Sequence, residues 1–294
     1  MKRTIGIAGV ILLMVVAACA QQPVDLTLAA MPQVTRTGDV SLSPDGQTVA
    51  FVSNHDGASK IWLMPVKGGE PRALTEGNQT QWSSDGKTIA YLSGRGGQTD
   101  IWTISVAGGT PTRATNDSSA KHGIRWSPDG TKIAYISNRS KNQDIYVVDA
   151  KGGEPRQLTQ KTNEWDEFRW APEWSPDGKH IAFVSGQSDY YSDDLWEIDA
   201  DGTHQRKLTT GIWVQGYPEW SPDGKSLAYL STRLADVRVL AIRSIVTGET
   251  HELQMRPSLS YLNGLTWMPD GRSLAIIGTD HKGREGIFKI EGTS

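Results

Sequence analysis

Apolar residues in this chain come in short runs separated by turn formers, as in Ile89-Ala90-Tyr91-Leu92 and Ile133-Ala134-Tyr135-Ile136. Such runs are too short for helices and do not alternate with polar positions, so they predict strands buried on both faces. One turn signature precedes them: Ser43-Pro44-Asp45-Gly46, Ser83-Ser84-Asp85-Gly86, Ser127-Pro128-Asp129-Gly130, Ser175-Pro176-Asp177-Gly178, Ser221-Pro222-Asp223-Gly224 and Met268-Pro269-Asp270-Gly271. The copies are 40, 44, 48, 46 and 47 residues apart. A period of about 40–50 residues suits one four-stranded propeller blade. Proline sets φ for the second position of a type I turn, and glycine takes the left-handed position that closes the hairpin. Six aspartates in the same turn are therefore turn formers, not catalytic groups.

The repeats agree beyond the turn. A first strand ends on Trp82, Trp126, Trp174, Trp220 or Trp267, with Leu42 in the first copy. A third strand carries Ile61-Trp62, Ile101-Trp102, Ile145-Tyr146, Leu195-Trp196 or Ile287-Phe288, and a Gly-Gly turn such as Gly152-Gly153 leads to a fourth strand. The fifth repeat departs: Val237 to Val246 is a longer run, and Thr247-Gly248-Glu249 replaces the double glycine. The sixth lacks a fourth strand, and Pro23-Val24-Asp25-Leu26-Thr27 has the pattern of Pro71-Arg72-Ala73-Leu74-Thr75. Closure by that N-terminal strand would remove a free sheet edge. The expected fold is all-β: a six-bladed β-propeller of four-stranded blades, the ring closed by an N-terminal strand.

The Trp-Ser-Pro-Asp-Gly, Ile-Ala-Tyr and Ile-Trp elements resemble the WD-like propeller repeats of the TolB family and of the dipeptidyl peptidase propeller. The resemblance covers almost all of the chain after its leader. It implies the fold firmly and the activity only loosely, because one fold of this kind hosts many functions.

The first residues have a different character. Lys2 and Arg3 precede an apolar run from Ile5 to Ala18, too short to span a bilayer and laid out as a signal peptide. The run ends in Val16-Ala17-Ala18-Cys19, which resembles the bacterial lipobox, and Cys19 is the only cysteine in 294 residues. The domain expectation is a signal peptide at 1–18 and a propeller at 19–294, lipidated at Cys19. The resemblance to lipoproteins implies an acyl anchor, with Ala20 favouring the periplasmic side of the outer membrane. Loss of Lys2 and Arg3 takes the formal net charge from −3 to −5. A mildly acidic chain offers nucleic acid no electrostatic footprint.

Candidate chemistry is sparse. The sequence has no Gly-x-Ser-x-Gly, no His-Glu-x-x-His, no phosphate-binding Gly-x-x-x-x-Gly-Lys and no EF-hand loop. His55, His122, His180, His204, His251 and His281 fall at unlike repeat positions, so neither a shared metal site nor a cofactor is expected. Of 11 tryptophans, all but Trp165, Trp170 and Trp213 occupy repeat slots. Those three lie in the connectors entering blades four and five, on the face that also carries the loop with Tyr190 and Tyr191. Trp165, Phe168, Trp170, Tyr190, Tyr191, Trp213 and Tyr217 thus fall on one sector, either as a recognition surface or as packing under long connectors. Glu173 and Glu219 sit in matching Pro-Glu-Trp steps, with Glu167, Arg169, His122 and Arg125 nearby by repeat position. The expected function is a non-catalytic, monomeric, lipid-anchored platform for an envelope protein or peptide. The rival readings are a glycan-binding module, and a lyase or hydrolase working at the channel mouth.

Overall fold

The computed structural model describes residues 37–54, 57–160, 168–186, 193–210, 213–214, 218–233, 237–253, 259–280 and 282–291. These build six antiparallel sheets in chain order, each starting from its innermost strand. Blade one is Thr37–Leu42, Thr48–Ser53, Lys60–Pro65 and Arg72–Glu76; blade two is Asn78–Trp82, Thr88–Ser93, Asp100–Ser105 and Thr112–Arg113. Blade three is Lys121–Trp126, Lys132–Ser137, Asp144–Asp149 and Arg156–Gln157; blade four is Phe168–Trp174, His180–Gly186, Asp194–Asp199 and Arg206–Lys207. Blade five splits its first strand into Trp213–Val214 and Glu219–Trp220, followed by Ser226–Arg233, Val237–Ser244 and Thr250–Leu253. Blade six has three described strands, Leu259–Trp267, Ser273–Asp280 and Glu285–Glu291. The six-bladed all-β expectation holds. The closing segment Val24 to Thr27 and the lipidation site Cys19 lie outside the described residues.

The repeated turn behaves as its chemistry requires. Gly46 donates its N–H to the Ser43 carbonyl (2.8 Å) and takes φ +69°. The Ser43 hydroxyl donates to Asp45 Oδ1 (2.6 Å), which also accepts the Gln47 N–H (3.0 Å). These bonds favour the ionised aspartate and hold its pKa below the ordinary value. The sixth copy has Met268 for serine, and the Ser273 hydroxyl bonds Asp270 instead (2.9 Å).

The strands are apolar on both faces because the core is divided into layers between blades. Ala50, Val52, Ile61 and Leu63 of blade one meet Ile89, Tyr91 and Ile104 of blade two, and like layers join two to three, three to four, four to five and five to six. Within a blade, Tyr135 stacks on Tyr146 (5.8 Å) and Phe183 on Trp196 (6.5 Å). Arg113 stands over the Trp102 ring and Lys207 over the Trp196 ring.

Two devices fix neighbouring blades. The first uses the slot tryptophans, each donating its indole N–H to a backbone carbonyl of the preceding blade. Trp82 reaches Ser41, Trp126 reaches Gln81, Trp174 reaches Arg125, Trp220 reaches Glu173 and Trp267 reaches Glu219, at 3.0–3.4 Å. The second is a buried aspartate at the start of the third strand in blades two, three and four. Asp100, Asp144 and Asp194 accept the hydroxyls of Thr115, Thr159 and Thr209 (2.8, 2.9 and 3.1 Å). The next blade supplies a cation to two of them: Lys121 lies 3.2 Å from Asp100, and Arg169 lies 2.7 Å from Asp144.

Candidate functional site at the channel

First strands of successive blades lie side by side around the axis. Each described one carries an irregularity before its tryptophan slot, between Gly38 and Ser41, Asn78 and Gln81, His122 and Arg125, Trp170 and Glu173, and Leu262 and Gly264. In blades one to four the residue three before the slot has left-handed backbone: Asp39 (φ 46°), Gln79 (φ 52°), Gly123 (φ 65°) and Ala171 (φ 53°). Alanine there costs about 1–3 kcal/mol, a strain that only the surrounding structure maintains. Such bulges re-aim the side chains that follow them.

The residues one before the slot are Ser41, Gln81, Arg125, Glu173, Glu219 and Thr266. Three consecutive blades thus place Arg125, Glu173 and Glu219 next to one another. Arg125 Nε donates to Glu173 Oε2 at 2.9 Å. The two side chains are partly buried and keep 22% and 25% of their surface exposed. Partial burial in the channel wall decides the electrostatics. Burial raises the Glu173 carboxyl against the pull of Arg125. Glu219 is raised well above its ordinary value by burial first and by the Glu173 charge second, with Arg125 opposing. One guanidinium thus serves two carboxylates, and the pair retains a proton more readily than free glutamates do.

The remaining sequence-predicted residues are placed as follows. His122 is half-buried in blade three's first strand, and burial lowers its pKa, favouring the neutral ring. Trp170 is half-buried and packs on the layer between blades four and five. Phe168 pairs with Gly186 and Trp213 with Thr232 by backbone register. Val214 donates its N–H to the Asp193 carbonyl (2.9 Å), so blade five's entry lies beside the loop between blade four's second and third strands. Trp165, Glu167, Tyr190, Tyr191 and Tyr217 lie outside the described residues. Sequence reasoning did not find the left-handed bulge residues, which have no common residue type. It also missed the Arg125–Glu173 pair, although both stand one residue before a slot tryptophan.

Fold and channel together define a propeller of the six-bladed, WD-like class. The chain belongs to the TolB beta propeller domain family, whose model matches residues 31–168 and 124–293. It is similar to TolB from Acinetobacter baumannii, at 26% identity and a TM-score of 0.57 over 74% of this chain. It spans 54% of that protein's length. A protein assigned as TolB from Agrobacterium tumefaciens is 23% identical, with a TM-score of 0.56 over 88% of this chain and 91% of its own. An oligogalacturonate lyase in complex with manganese shares the fold at 21% identity and a TM-score of 0.68, over 85% of this chain and 72% of the lyase. A comparison with curated proteins found no match.

Proposed function

We propose that this chain is an interaction platform of the bacterial envelope that holds a protein or peptide segment at its connector face and channel mouth, without acting on it chemically. The Arg125–Glu173–Glu219 trio carries this reading. Two partly buried carboxylates against one guanidinium leave room for a further cation, and a lysine or arginine of an inserted segment takes the place of the proton on Glu219. Trp213 and the aromatic residues of the neighbouring connectors supply the apolar anchors. The signal-like run at Ile5 to Ala18 and the lipobox at Cys19 support export and lipid anchoring on the periplasmic side of the outer membrane.

Crosslinking in cells from a probe at position 213 tests the platform. It should recover an envelope protein, from the membrane fraction in wild type and from the soluble fraction in Cys19→Ser. Trp213→Ala should keep the unfolding free energy within about 1 kcal/mol while partner capture weakens by roughly 2 kcal/mol or more. A stability loss of roughly 3–5 kcal/mol, with capture intact in the folded fraction, would instead make Trp213 a packing residue. Saturable binding of a soluble oligosaccharide, with no protein crosslinked, would replace the platform by a glycan-binding module.

A further inference from the structure

Each member of the channel trio is pinned from behind by the next blade. The Arg125 carbonyl accepts the Trp174 indole N–H (3.3 Å), the Glu173 carbonyl that of Trp220 (3.2 Å) and the Glu219 carbonyl that of Trp267 (3.0 Å). These bonds fix the backbone from which the side chains spring, as supporting hydrogen bonds do in a preorganised site. Two like charges on the neighbouring strands therefore gain little relief by moving apart. The guanidinium is committed to one side: Arg125 Nε donates to Glu173 Oε2 (2.9 Å) and Arg125 Nη1 to the Ile124 carbonyl (2.9 Å).

Glu219 is the member left over. Its side chain is half-buried, and among the described residues no hydrogen bond or ion pair reaches its carboxyl. Its surroundings offer no spare cation. Thr266 is its counterpart in blade six's first strand, and Ala228 stands opposite it in blade five's second. In blade four's first strand Arg169 is turned to Asp144, and in blade three's burial favours the neutral ring of His122. Burial is the first influence that raises the Glu219 pKa, the Glu173 charge adds to it, and Arg125 opposes both. A carboxyl in this position is stabilised either by a proton or by a cation beside it.

We propose that capture at the channel is an exchange, in which one proton leaves the Glu173–Glu219 pair for each basic side chain that enters, so that the grip on the partner tightens as pH rises and slackens on acidification. The exchange rests on the platform reading and adds its regulation. The carboxylic acid gives its proton to water or buffer, and the partner's ammonium or guanidinium, charged throughout, pairs with the carboxylate left behind. The proton belongs to the pair and not to either residue alone. Only the ionised pair accepts the cation, so apparent affinity follows the ionised fraction and falls up to about tenfold for each pH unit on the acid side.

Capture by the crosslinking probe at position 213, followed from about pH 5 to 8, should strengthen up to about tenfold per pH unit until the pair is ionised, then level off. Glu219→Gln cannot ionise and should hold capture at its low-pH level throughout. The purified full chain, titrated calorimetrically with acetyl-Trp-Lys-Trp amide, should release about one proton per peptide at the acid end of this range. The release is read as different heats in Tris and in phosphate, and norleucine in place of the lysine should abolish it. Capture that stays level with pH, or Glu219→Gln capture that still climbs, overturns the exchange and leaves the platform standing. No capture at any pH removes the platform itself, and the exchange with it. Should Glu219→Gln not fold, equal heats in the two buffers, or no heat with the lysine peptide at millimolar concentration, overturn the exchange on the wild-type protein alone.

Discussion

Blades two to four form one arc of the ring, and blades five, six and one form the other; the arcs share turns, strands and indole links but not the aspartate clamp. In the first arc every third strand begins with a buried aspartate held by a threonine, and every third strand has its stacked or cation-covered ring. In the second arc the aspartate position is Lys60 in blade one and Val239 in blade five. The ring position is Ala241 in blade five, and the tryptophan slot of blade one is Leu42. Each departure is a single residue, and none disturbs the strand it sits in. Stability in a repeat array is approximately a sum of unit and neighbour terms, so such substitutions loosen one part without unmaking the whole.

Breaking a clamp in the tight arc should have the largest effect. Arg169→Leu leaves the Asp144 carboxylate buried without its cation and should cost about 3–5 kcal/mol in urea unfolding. A loss below about 1 kcal/mol would mean that the two arcs do not differ in the way their contacts imply. The indole links come next. Trp174→Phe removes the donor to Arg125 O and should cost about 2 kcal/mol, whereas Leu42→Trp offers a donor where blade one has none and should gain up to about 1 kcal/mol. Differential scanning calorimetry on both variants checks the pair. The smallest effect concerns the boundary between the arcs. Glu219 has a raised pKa in the fold, so the folded protein keeps a proton that the unfolded chain gives up above about pH 4.5. Stability therefore falls as pH rises through that region, until Glu219 ionises in place. Glu219→Gln stays neutral and should flatten this part of the pH profile, with a small rise in melting temperature at pH 7; an unchanged profile would show that Glu219 is not enclosed.

Most of the fold was legible because the same local rule is written six times. Asp and Gly fix each turn, with Pro before them in five of the six, and apolar runs without alternation announce strands covered on both sides. The aspartate clamp was legible in principle, since Asp100 and Thr115, Asp144 and Thr159, and Asp194 and Thr209 share a spacing of 15 residues. It escaped notice because both residue types are common in loops. The indole links could not be read in full, for their acceptors are backbone carbonyls that any residue provides. At the channel, the Pro-Glu-Trp steps marked Glu173 and Glu219, but pairing with Arg125 needs the closed curvature of three blades. The left-handed Ala171 has no sequence signal at all. The missing ring of blade five was hidden by its longer apolar run, which has no aromatic to fix the register until Ala241 is seen opposite Tyr229.

Leu42 has a further, mechanical consequence. Five joints between blades carry an indole hook, and the joint between blades six and one has a leucine where the hook would be. A ring under tension parts at its weakest joint, so forced or thermal opening should start at that seam and peel blade one away from blade six. With the chain tethered at Cys19 and the ring closed by Val24 to Thr27, as proposed, load from the membrane enters at blade six, on the same unlatched seam.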